Sequence, residues 1–270
     1  MHLPTLPRRS WLERTSVAFG LGLIALGGGT LTGSWLNLGW LVRPWAEATP
    51  IRPEEALCFF ILGLVLLLRE IKVHWAGWLA LVPLTVSGLI LGGSLFNRDL
   101  HLGGLEVNGP LFEVADSSMS RVAAVAAACL TMGAIALLWH ATGRHRNLRL
   151  FFEAMAGSTL AMINVCTLAG YLTTQQALYR WGSATPVSPL TAVGLLLLGL
   201  ALLILAWREN VRLERGVPAW LPFPGSIALI TLTVILWLNL SGRETEYIQS
   251  TTRSAMGRFQ LQVQADIGEQ

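Results

Sequence analysis

Long apolar runs separated by short polar segments dominate the chain, at residues 15–37, 54–68, 74–96, 119–141, 150–172, 189–207 and 220–241. A hydrocarbon core of roughly 30 Å takes about 17–25 helical residues to cross, so each run can span it, residues 54–68 with some help from their flanks. Lipid offers backbone groups no water, which leaves helices and closed barrels as the only spanning structures. These runs are continuous, whereas barrel strands alternate. The pattern predicts an all-α integral membrane protein with about seven transmembrane helices. The first run is too long for a signal peptide and no small-residue cleavage site ends it, so it reads as the first span.

Composition agrees, with 53% apolar residues, 13% charged and a mean hydropathy of +0.55. Soluble domains carry about 25% charged residues. Lys72 is the only lysine among 19 basic residues, so the small positive net charge does not describe a nucleic-acid-binding surface. Cys58, Cys129 and Cys166 lie far apart inside apolar runs, in neither a disulfide framework nor a zinc spacing, and read as small hydrophobes.

The basic residues set an orientation. With residues 1–14 as a cytoplasmic N-terminus, the inner segments hold eleven basic side chains: Arg8, Arg9 and Arg14; Arg69 and Lys72; Arg144, Arg146 and Arg149; Arg208, Arg212 and Arg215. The outer loops before the C-terminal tail hold five, Arg43, Arg52, Arg98, Arg121 and Arg180. This positive-inside bias predicts seven spans that start inside and leave the C-terminus outside. Trp35, Trp40, Trp45 and Trp181 then fall near outer ends, and Trp75, Trp139, Trp207 and Trp220 near inner ends, as interfacial belts do.

An internal repeat is also legible. Ala48-Thr49-Pro50-Ile51-Arg52-Pro53 recurs as Ala184-Thr185-Pro186-Val187-Ser188-Pro189, each opening a span with a glycine at the same offset, Gly63 and Gly199. Half of the 136-residue separation lands on Arg121, at the start of the fourth span, which gives a period of 68 repeated three times. The expected architecture is one extra helix followed by three parallel helical hairpins, at about 48–115, 116–183 and 184–241, within a membrane domain over residues 15–241. Proline at a first helical position loses no intrahelical bond, and the glycines allow close helix approach.

The segment Pro53-Glu54-Glu55-Ala56-Leu57-Cys58-Phe59-Phe60-Ile61-Leu62-Gly63-Leu64 resembles the Pro-Asn-Thr-Ala-Leu-x-Phe-x-Leu-x-Gly-Leu signature of the MASE-like membrane sensor regions that precede bacterial histidine kinase and diguanylate cyclase modules. Pro189-Leu190-Thr191-Ala192 with Gly199-Leu200 is similar to its later copy, and Gly170-Tyr171-Leu172 with Leu178-Tyr179 to the stretch before that copy. The chain departs from the signature at Glu54-Glu55, where Asn-Thr is usual, and at Arg121, where proline is expected. The resemblance implies a sensory or anchoring role, membrane lipids as partners and an output module outside this chain. It further implies that residues 242–270 open an extracytoplasmic CHASE-type domain through which the protein forms a homodimer. Ile248, Ala255, Phe259, Val263 and Ile267 in that tail do recur at helical spacing.

The search for chemistry returns few candidates. No lysine lies within a span, which excludes a retinal Schiff base of the usual kind. His74 and His140 occupy similar places at inner helix ends and form a bis-histidine haem pair only if they face one another, the plainer reading being two interfacial histidines. His101 lies in an outer loop with Asp99, Glu106, Glu113 and Asp116, without diagnostic metal spacing, and reads as solvated charge. No cofactor or resident metal is expected.

Polar groups within spans are costly and therefore informative. Asn164 lies in the middle of the fifth span, as interhelical glue or a ligand contact. Glu153 follows Arg149 by four residues, the spacing of an intrahelical ion pair. Glu54, Glu55 and Arg121 sit at outer helix starts and form the candidate extracytoplasmic binding mouth. Two functions compete: a signal-transducing membrane domain, and a small-solute transporter or channel, which hairpin repeats also allow. The apolar midplane favours the first. No nucleophile–base set or paired acids point to an enzyme.

Overall fold

A computed structural model describes residues 8–45, 48–73, 75–95, 123–142, 146–173, 179, 186–212 and isolated positions between 225 and 237. The described residues form helices and no strand. Helix α1 covers Arg8–Trp35, α2 is one turn at Gly39–Val42, and α3 covers Pro53–Glu70. A 3₁₀ segment, Ala76–Ala80, runs into α4 at Leu81–Leu95, followed by α5 at Ala124–Thr142, α6 at Arg146–Leu172 and α7 at Pro189–Arg212.

Local chemistry explains several boundaries. Helix α3 begins with Pro53 at its first position, carries Glu54 and Glu55 in its first turn and Arg69 in its last, each favourable to the helix dipole. It stops where Lys72 takes a left-handed backbone, φ 61°, and the amides of Lys72 and Val73 return to the carbonyls of Arg69 and Leu68 at 3.0 and 3.1 Å. The same paired C-terminal bonds end α1, with Asn37 at φ 55° and Leu38 N–H donating to Gly33 at 2.8 Å. Pro83 lacks the N–H that would reach back to Leu79, and the turn before it is the tighter 3₁₀ form.

Five segments are long and apolar enough to cross a membrane: Trp11–Trp35, Ala76–Ser94, Ala124–Ala141, Asn147–Leu172 and Pro189–Val211. Helix α3, 18 residues long, is equally apolar inside but carries Glu54, Glu55, Arg69 and Glu70 at its ends. It is the second of the spans expected from the sequence. The seventh, residues 220–241, lies for the most part outside the described residues, as do the tail and residues 96–122. The described part is thus an all-helical, multi-pass membrane architecture. Apolar side chains such as Leu21, Leu89, Val165 and Val193 face outward, as contact with lipid requires. Exposed Trp35, Trp40 and Trp45 mark one end, and Trp11, Trp75, Trp78 and Trp207 the other.

Helices α3, α5 and α7 make the centre, filled by Phe59, Leu62, Leu66, Leu130, Leu195, Leu198, Leu202 and Leu205, all fully buried. The other three long helices each occupy a groove between two central ones: α1 between α3 and α7, α4 between α3 and α5, α6 between α5 and α7. The tightest pairs are α1 with α3 and α6 with α7. A Cβ on Gly63 would lie 2.7 Å from the Gly20 carbonyl oxygen and 2.9 Å from the Ile24 nitrogen, so α1 and α3 touch through backbone. A Cβ on Gly199 would lie 2.8 Å from the Gly157 carbonyl oxygen, so α6 and α7 do the same. Between α4 and α5 the corresponding contact is a hydrogen bond of 2.9 Å from Thr131 to the Ser87 hydroxyl.

Candidate functional site

The polar side chains of the bundle gather at its two ends. The end where α3 and α7 begin, at Pro53 and Pro189, is here the proline end, and the opposite one, with Arg69, Arg149 and Arg208, the arginine end.

At the arginine end, charged groups from four helices and a hydroxyl from a fifth interlock. Arg208 at the foot of α7 donates from Nη1 to both carboxylate oxygens of Glu70, at 2.6 and 2.7 Å. The Ser16 hydroxyl of α1 donates to the same carboxylate at 3.0 Å. Glu153, fully buried on α6, takes His140 of α5 as its closest partner, Nδ1 against Oε1. Arg149 stands with Nε 3.6 Å from Glu153, reaches Glu209 of α7 at 3.3 Å and donates to the His140 carbonyl at 3.3 Å. Arg69 interacts electrostatically with both Glu153 and Glu70. These pairs hold α1, α3, α5, α6 and α7 together at one level. Breaking such a buried pair by removing one partner costs about 3–5 kcal/mol, because the other charge stays buried.

At the proline end, Glu55 is buried and the Thr191 hydroxyl of α7 donates to its Oε2. These two residues occupy the same place in the two copies of the proline motif, 136 residues apart. Arg52 lies just before α3, where burial lowers its guanidinium from the usual value while Glu54 and Glu55 act in the opposite sense. Glu54 Oε2 and the Ser188 hydroxyl are buried without hydrogen-bond partners. Beside them, the Tyr171 hydroxyl donates to the Val187 carbonyl at 2.6 Å, with its ring stacked on Tyr179 at 4.2 Å and edge-on to Trp45 at 6.0 Å.

Set against the sequence, the candidate residues divide. Glu54 and Glu55 lie at one helix start, where Glu55 meets Thr191 of α7. Arg121, their expected partner, lies outside the described residues, as does His74. His140 is held by Glu153. The expected Arg149–Glu153 pair is present but loose, and the stronger partner comes from a neighbouring helix. Asn164 sits buried at mid-bundle with its amide donating to the Leu160 carbonyl of its own helix at 2.8 Å, and its side chain meets the Cys129 thiol of α5. Its Oδ1 is buried without a hydrogen-bond partner. The arginine end was not legible as a unit, because Arg69 and Arg208 marked only loop orientation and Arg149 was matched only to Glu153 of its own helix. The available signal was that each lies in or beside a span's terminal turn together with a glutamate. Among the described residues no group of three His, Cys, Asp or Glu side chains could hold a metal ion.

No protein-family model, no curated protein and no solved structure matches this chain.

Proposed function

We propose that this chain is the membrane-embedded sensory or anchoring domain of a bacterial signal-transduction protein, in which helix movements are read out through the charged network at the arginine end. The network carries the reading. It joins four helices through charges and a fifth through Ser16, and its partners can exchange, for Arg149 already lies between Glu153 and Glu209 and Arg69 acts on both Glu153 and Glu70. A small displacement of one helix therefore re-sorts the pairs of its neighbours, as expected of a two-state element. Transport needs a polar route through the bundle, whereas the central layers here are leucine, alanine and phenylalanine. The basic bias of the loops favours the arginine end as the cytoplasmic one, facing the output module that the family resemblance implies.

The reading includes a three-unit architecture of period 68, phased one helix earlier than the motif alone suggests. Buried residues at this spacing support it: Glu55, Ala123 and Thr191; Phe59, Ala127 and Leu195; Leu62, Leu130 and Leu198; Leu66, Ala134 and Leu202. So does the succession Gly63, Thr131 and Gly199 at the three close contacts, opposite Gly20, Ser87 and Gly157. In this phasing α1 pairs with α3, α4 with α5 and α6 with α7, so the first helix is part of the first unit.

The test is a distance measurement between spin labels in lipid nanodiscs. Labels replace exposed Trp11 on α1 and Leu148 on α6, with Cys58, Cys129 and Cys166 changed to alanine. A relay gives two distance populations whose proportions shift in Arg208→Gln. A single population, identical in wild type and Arg208→Gln, refutes the relay.

A further inference from the structure

We propose that the proline end contains a binding site for a small hard cation, formed by the carboxylates of Glu54 and Glu55 on α3 and the hydroxyls of Ser188 and Thr191 at the start of α7. Glu55 is buried and accepts hydrogen bonds from the Thr191 hydroxyl and the Arg52 backbone N–H. Glu54 Oε2 is buried without a hydrogen-bond partner. Ser188 is 4% exposed and its hydroxyl is unpartnered as well, although as the residue before Pro189 it stands where a serine normally caps its own helix. Ser188 stands three residues before Thr191, the residue that meets Glu55, and its carbonyl accepts from the Ala192 N–H in the first turn of α7.

Charge and donor chemistry define the ligand. Glu54 and Glu55 act on one another and on Arg52. Carboxylate and hydroxyl oxygens are the ligands of hard cations such as sodium, calcium and magnesium, not of the softer metals that take nitrogen or sulfur. A cation seated among them satisfies the unpaired Glu54 oxygen and the Ser188 hydroxyl at once and offsets the repulsion of two successive carboxylates. It also joins α3 to α7 at the end opposite the charged network. The inference stands independently of the relay, since a site here binds its ion whether or not the arginine end switches.

The experiment uses the full chain in nanodiscs of zwitterionic lipid. Thermal unfolding and calorimetric titration are followed against sodium, calcium and magnesium chloride, with choline chloride holding the ionic strength. One of the three ions is expected to raise Tm saturably. Its affinity should fall by about tenfold or more in Glu54→Gln, because a charged ligand is lost. Ser188→Ala should lose less, and Glu13→Gln, on α1, should match wild type. If Glu54→Gln does not fold, Glu54→Asp serves, since shortening the side chain withdraws the same oxygen and weakens binding. No saturable effect from any of the three ions, or equal affinity in the Glu54 variants, overturns the site. A Tm that responds to acid and to none of the ions also overturns it, since the carboxylates would then share a proton.

Discussion

Replacing Gly199 by alanine tests whether α6 and α7 really meet through their backbones. An added Cβ would stand 2.7 Å from the Ala161 nitrogen and 2.8 Å from the Gly157 carbonyl oxygen, where ordinary contact begins near 3.4 Å. The shortfall is about 0.7 Å against backbone atoms, which cannot rotate aside, so the helices must part. Overpacking of this kind costs about 1–3 kcal/mol. Alanine's better helix propensity returns up to about 1 kcal/mol. The net expectation for Gly199→Ala is a loss of about 0–2 kcal/mol. Gly88 on α4 supplies the internal control, because nothing lies within 4 Å of its added Cβ. There only the propensity acts, and Gly88→Ala should gain about 0.5–1 kcal/mol. The assay is reversible unfolding in mixed detergent micelles, followed by circular dichroism, on wild type and both variants. If Gly199→Ala proves as stable as Gly88→Ala, the close approach of α6 and α7 is wrong, and the reading of small residues as interface residues fails with it.

The ion pair between Glu70 and Arg208 should show strong coupling in a double-mutant cycle. Glu70→Gln alone leaves Arg208 buried against a neutral partner and should cost about 3–5 kcal/mol, and adding Arg208→Gln should recover part of that; additive losses in the same unfolding assay would mean that the two do not interact. At the α4–α5 contact, Ser87→Ala and Thr131→Val should each cost about 1 kcal/mol, and the double variant about as much as either one, because both remove the same hydrogen bond. Losses that simply add would show that the bond is absent.

The membrane architecture was readable from the chain alone, because a helix that must bury its backbone polarity in lipid needs an unbroken apolar run, and such runs are visible without knowing any contact. Proline and acids at the start of α3 and a basic residue in its last turn are equally local and gave its ends correctly. Glu54 and Glu55 were visible as acids at the edge of an otherwise apolar stretch. Thr191 was already aligned with Glu55 by the motif, although nothing in the sequence said that equivalent positions of two copies would touch.

Pairing between helices lay beyond sequence reading. Whether α1 stands apart, as expected from the proline motif, or packs on α3 depends on the fit of Gly20 and Gly27 against Gly63 and Ala56, a property of two surfaces together. Glu153 makes the same point for the polar residues. Its spacing from Arg149 is visible along one helix, while its closest partner, His140, comes from another and is decided by how α5 and α6 pack. Hydropathy and local chain stereochemistry, summed residue by residue, determined that this chain forms membrane-spanning helices and where they begin and end. The convergence of Ser16, Glu70, His140, Arg149, Glu153, Arg208 and Glu209 at one end was decided only by the tertiary structure, because contacts between segments up to 138 residues apart depend on shape complementarity that no local pattern encodes.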